Sequence, residues 1–131
     1  MSAPDKAGYA FNRTRGAYLA TELCIAGTHW SRLRGLMWRK AMSFRAGQGL
    51  WMLPSRGVHT FAMRFPIDIV YLDRENVVVH MEQNLKPWRL APVRMRAASV
   101  LELPCDTLHS TGTALGDEIE IALVRSEATR P

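Results

Sequence analysis

The chain has 131 residues, 47% of them hydrophobic, and a formal net charge of +5. That length suits one domain with a real core and is too short for two. No run approaches the roughly 20 apolar residues of a membrane-spanning helix, and Met1 to Arg15 is polar without an apolar signal core, so a soluble, cytoplasmic domain without membrane insertion is expected. Two cysteines, Cys24 and Cys105, form no Cys-x-x-Cys pair; they read as inert thiols rather than a disulfide framework or zinc knuckle.

Residues 1–16 mix Pro, Gly and charge and are expected to be loose, as is the tail 126–131, leaving one domain over 17–125. From Ala17 to Ala26, Leu19, Leu23 and Ile25 alternate with polar or small neighbours, the two-residue period of a half-buried strand. After Gly27 and Thr28, the spacing of Trp30, Leu33 and Met37 predicts a short helix, with Gly35 a weak point in it. Further strands are expected at Gly49 to Leu53, Val58 to Met63, Ile67 to Leu72 and Val77 to Gln83. The last two are separated only by Asp73-Arg74-Glu75-Asn76, which predicts an antiparallel hairpin.

Asn84 to Arg96, with Pro87 and Pro92, reads as an irregular excursion. Strand character resumes at Ala98 to Leu103, one helical turn fits Pro104 to Thr111, and a turn over Gly112 to Asp117 precedes a final strand, Glu118 to Val124. The fold class expected is mainly β (α+β), a small curled antiparallel sheet or barrel-like domain with one or two short helices.

Charge is distributed unevenly. Between Leu23 and Ile67 there is no acid, while Arg32, Arg34, Arg39, Lys40, Arg45, Arg56 and Arg64 fall there. A second acid-free run holds Lys86, Arg89, Arg94 and Arg96, whereas acids dominate from Glu102 to Glu127. The pattern fits either solubility with pairing between the two parts or a basic surface that attracts an anion.

The series Arg34-Gly35-Leu36-Met37 with Arg39, His59-Thr60-Phe61 with Met63, Pro66-Ile67-Asp68, Glu102-Leu103-Pro104 and Gly116-Asp117 resembles the family called domain of unknown function 192, or uncharacterised protein family 0127, over about residues 18 to 124. The resemblance implies a compact β-rich domain with no agreed biochemical role. Many relatives look exported or membrane-anchored, and this chain is expected to differ from them in lacking a signal segment. It also has Ser55 where relatives of this subgroup often have Cys, and Cys105-Asp106 where Ala-Gly is common.

The candidate ligand-binding residues are Arg34, Arg39, His59, Thr60, Asp68 and Asp117. A sheet edge that gathered His59, Thr60 and Asp68 would hold an imidazole in one tautomer beside a cationic Arg34, a site for anion contact or proton transfer. The same residues also suit turn hydrogen bonds and a salt bridge without any ligand. The preferred function is a non-catalytic binding module with a polar pocket for a small anionic ligand or peptide segment, since no nucleophile stands out. A hydrolase or transferase using a His59/Asp68 acid-base pair and a nucleic-acid binder using the arginines and tryptophans are the alternatives. No cofactor is implied, and His29, His59, His80 and His109 are spaced too widely to suggest a metal site.

Overall fold

A computed structural model of the chain describes residues 8–26, 45–56, 65–86 and 91–123. Among the described residues seven strands form one sheet, in which the strands counted along the chain stand side by side in the order 5-4-6-3-2-1-7. They are β1 (Gly8–Asn12), β2 (Ala17–Ala26), β3 (Gln48–Met52), β4 (Ile67–Leu72), β5 (Val78–Leu85), β6 (Ser99–Pro104) and β7 (Ile119–Leu123), with one short helix, α1 (Thr107–Thr111), between β6 and β7. The β-rich, curled architecture agrees with the periodicity of the sequence.

The sheet curls until its two edges meet at one end. Val78 N–H donates to the Asp117 carbonyl, Gly116 N–H to that of Val78 and Ile119 N–H to that of Asn76, so β5 and β7 are stitched together there. Inside the curl lie Leu19, Leu23, Val70, Leu72, Leu101, Leu103, Leu108 and Ile119. A second apolar layer lies on the outer face: Leu50, Met52, Ile67, Ile69, Tyr71 and Val100, packed with Ala91 and Ala97. β4 and β6 are therefore buried on both sides, which is why Ile67 to Leu72 reads as an almost unbroken apolar run. The β4–β5 hairpin forms as its sequence predicts, with Asp73 Oδ1 accepting the N–H groups of Glu75 and Val77 and Asn76 left-handed at φ 63°.

Two features depart from the sequence reading. The segment expected to be loose contains β1, which pairs antiparallel with both β2 and β7. Its buried positions are two small residues and a polar one, Gly8, Ala10 and Asn12, so a weak hydrophobic signal conceals a strand that is paired on both sides; a Cβ on Gly8 would overlap the Ala122 carbonyl of β7. Second, β2 and β3 pair in parallel within a sheet expected to be antiparallel, from Glu22 opposite Gln48 to Ala26 opposite Met52. The connection 27–47 has the length that a parallel crossover needs. The predicted helix around 30–37 and the predicted strand 58–63 lie outside the described residues, as does the tail 126–131. No helix among the described residues is long and apolar enough to cross a membrane.

Candidate functional site

Of the six residues singled out by sequence, Arg34, Arg39, His59 and Thr60 lie outside the described residues. The other two, Asp68 and Asp117, are buried, and each is held by several donors. Asp68, second residue of β4, faces the inside of the curl. Its Oδ1 accepts the N–H of Asn84 at 2.8 Å and its Oδ2 the N–H of Leu108 at 2.9 Å. The first bond holds Asn84, left-handed at φ 52°, at the end of β5. The second caps α1, whose own N-cap residue Asp106 makes no side-chain cap.

Asp117 lies at the opposite end of β4, beside Val78, the neighbour of Leu72. Four residues of strand, about 13 Å, separate the two positions, so the structure does not bring them together. Asp117 Oδ2 accepts the Asn12 amide, the Arg15 Nε–H and the Ala114 N–H, each at 2.9 Å. Asn12 Nδ2 also donates to Thr113 Oγ1, and Asn12 Oδ1 accepts the Arg15 N–H. Burial works to raise the Asp117 pKa, but the bonds from Arg15, Asn12 and Ala114 and the Arg15 charge outweigh it and keep the carboxyl below its ordinary value. Gly116, at φ +88°, supplies the turn that aims this side chain at β1. Both acids tie distant segments together.

The groups that remain available for a ligand lie on the outer face and were not singled out in the sequence. The extension beyond β3 runs beside residues 94–98: Ser55 N–H donates to Ala98 O and Arg94 N–H to Arg56 O, while Ala98 N–H donates to Leu72 O. This brings the ends of both acid-free runs next to the β4–β5 hairpin. An open cleft of about 560 Å³ results, lined by Arg56, Arg74 and Arg96, together with Met95, Ala97, Ala98, Pro54 and Ser55. All three arginines are exposed, no acid lines the cleft, and none of the three makes an ion pair among the described residues. Met95 stands 73% exposed at the rim. The Tyr71 hydroxyl donates to Pro92 O at 2.6 Å and so fastens the segment that carries Arg94 and Arg96; burial first, then the nearby Glu82, pushes that phenol up to about 12, so it stays a donor.

Two further polar features occupy the outer face. His80 Nε2 lies 2.7 Å from Glu82 Oε2 on β5, and the His80 ring meets Tyr71 edge-on at 4.9 Å. Glu102, in the middle of β6, is 5% exposed, and burial lifts its pKa to about 8. Its sequence signal is a lone acid in the otherwise apolar Val100-Leu101-Glu102-Leu103, at a position in phase with Val100. Cys24 and Cys105 are free and partly buried; Cys105 Sγ–H donates to Asn84 Oδ1. Among the described residues no three His, Cys, Asp or Glu side chains gather to hold a metal.

Comparison with known proteins places the chain by sequence as well as by shape. The model of the DUF192 family, described as an uncharacterized ACR, matches residues 10–121. The chain belongs to the DUF192 family. A UPF0127 protein of Thermococcus sibiricus is 29% identical over 114 residues, covering 83% of this chain and 71% of that protein. A crystal structure of a protein of unknown function from Novosphingobium aromaticivorans superposes with a TM-score of 0.76 at 20% identity, covering 91% of this chain and 93% of that one. A second, from Sinorhizobium meliloti and described as a candidate transcription regulator, gives 0.75 at 21% identity, with 92% and 97% covered. At such identities the two structures speak for the curled β fold of DUF192 alone.

Proposed function

We propose that this DUF192 domain is a binding module for a small anionic ligand carrying a carboxylate or phosphate group, held in the cleft of Arg56, Arg74 and Arg96. The observation that carries the reading is the convergence of three exposed arginines, unpaired among the described residues, from three separate parts of the chain on one open, acid-free cleft. A guanidinium offers two parallel N–H donors to a planar or tetrahedral anion and cannot lose its charge at neutral pH. Met95 on the rim adds an apolar contact for the rest of the ligand.

Arg34, Arg39, His59 and Thr60 stay in the proposed ligand set on sequence grounds, since they share the acid-free run with Arg56. Asp68 and Asp117 enter as supports, because their carboxylates are already engaged by backbone and side-chain donors. The same engagement of Asp68 speaks against its use as a base in an acid-base pair. Nucleic acid is a less suitable polyanion: Trp51, a would-be stacking platform, is half-buried with its Nε1–H on Ser99 Oγ at 2.9 Å.

The test is titration of the intact chain with inorganic phosphate, citrate and a short acidic peptide, followed by amide chemical shifts. Saturable shifts around Arg56, Arg74 and Arg96 are expected, weakening as salt rises and disappearing in the triple variant R56A/R74A/R96A. Absence of saturable shifts with all three probes sinks the reading.

A further inference from the structure

A different part of the outer face holds a group that the fold does not explain. Glu102 has Leu50 of β3 directly opposite on one side and Ile69 of β4 on the other. Along its own strand Val100 faces the same way, and Met52 completes an apolar surround. Among the described residues nothing donates a hydrogen bond to its carboxyl and nothing pairs with it. Asp68, also buried, fastens distant backbone and Asp117 distant side chains; among the described residues Glu102 fastens nothing. Buried carboxyls in folded proteins are almost always bonded or paired, and a bare one at the centre of a sheet calls for a partner beyond the described residues.

We propose that Glu102 is the recognition group of a second ligand site, on the outer face of the sheet, which takes a cationic nitrogen carried on an apolar stem. The walls decide the class of ligand. Leu50, Ile69, Val100 and Met52 have no side-chain donor, so the incoming group must bring both the N–H donors and the counter-charge that an ionised carboxylate needs. An alkyl stem is what those walls accommodate.

Among the described residues the remaining polar groups on this face are engaged elsewhere: Gln48 of β3 accepts the Arg45 N–H and the Tyr71 hydroxyl of β4 donates to Pro92 O. On β5, beyond Ile69, His80 and Glu82 are bonded to one another. On β2, beyond Leu50, stand the Cys24 thiol and the exposed Glu22. β3, β4 and β6 place no fixed cation there. Since burial keeps Glu102 protonated at neutral pH, the cation displaces a proton as it binds, and affinity rises about tenfold per pH unit between pH 6 and 8.

The experiment uses the full chain labelled with ¹³C at the glutamate side-chain carboxyls, with n-butylammonium and n-butylguanidinium as probes and n-butanol as the neutral control. Expected are a Glu102 carboxyl resonance in the neutral position at pH 7, its saturable conversion to the ionised position by either cation, and proton release on binding seen by calorimetry in two buffers of different ionisation enthalpy. E102Q is expected to abolish binding, and E102L to raise the midpoint of thermal unfolding. A resonance that stays neutral at saturating probe, butanol binding as well as the cations, or lower stability in E102L each overturns the proposal. The wild-type titration decides the matter even if a variant fails to fold, and none of these probes tests the arginine cleft.

Discussion

At the corner where β1 meets the last turn, Asp117 takes three N–H donors and lies below its ordinary pKa; halfway along β6, Glu102 takes none among the described residues and lies far above it. Both side chains are almost fully enclosed. The difference lies in what surrounds them: Asp117 sits where a turn presents the Ala114 N–H and where Asn12 and Arg15 bring side-chain N–H groups, and Glu102 sits between strands whose N–H groups are already spent on the ladder. A buried acid with donors is a structural rivet. A buried acid without them weakens the fold, and a sequence keeps such a residue for something other than stability.

The largest test of this contrast is at Asp68, the other acid held by donors. Asp68→Ala removes the acceptor of two backbone N–H groups at once, that of Leu108 buried and that of Asn84 partly so, and a loss of roughly 2–4 kcal/mol in chemical denaturation is expected. A loss below about 1 kcal/mol would show that water replaces the carboxylate readily and would blunt the comparison.

Glu102→Leu is expected to act in the opposite direction, stabilising by about 3 kcal/mol at pH 8. The sign follows from linkage. The folded carboxyl titrates near 8 and the unfolded one near 4.5, so between those values the unfolded chain holds fewer protons and wild-type stability falls as pH rises. The advantage of the variant should therefore shrink toward pH 4.5 and be complete above pH 8. An advantage independent of pH would mean that Leu merely packs better.

At the Asp117 corner, Asn12→Ala breaks two donated bonds and one accepted bond and should cost about 2 kcal/mol. Asp117→Asn sharpens the same point through pH. A depressed carboxyl stabilises above its unfolded value and loses that contribution as pH falls through its folded value, so the variant should lack the part of acid unfolding that wild type shows below about pH 4. The smallest effect on stability is expected in the cleft, where R56A, R74A and R96A should each stay within about 0.5 kcal/mol while reducing phosphate-induced shifts.

The parts of the fold that were legible in sequence are those whose signal is local. The alternation of β2, the apolar run of β4 and the short polar link into β5 all depend on neighbours within ten residues. β1 was hidden because Gly8 and Ala10 bury little surface and its partners lie far along the chain. The parallel pairing of β2 with β3 is likewise a decision made through tertiary contacts. At the candidate site, the acid-free runs were visible, but their meeting at Arg56 and Arg96, beside Arg74 of the hairpin, depends on bonds between residues about forty apart. Asp68 and Asp117 stood out as polar residues within motifs; the number of donors around each is a property of turns that only three dimensions reveal. Glu102 carried a local signal that the sequence reading passed over, an acid in an apolar strand, while its lack of a partner among the described residues could not be read from the chain.

The placement of β1 between β2 and β7 bears on how the protein is made. Gly8 pairs with Leu123, so β1 waits for more than a hundred further residues to be synthesised before its second edge is covered. Such long-range pairing slows folding, and during elongation the exposed edge of β1 invites association between nascent chains. A polypeptide halted before residue 119 would keep that edge open permanently, which makes the final strand a guard against aggregation as much as a part of the sheet.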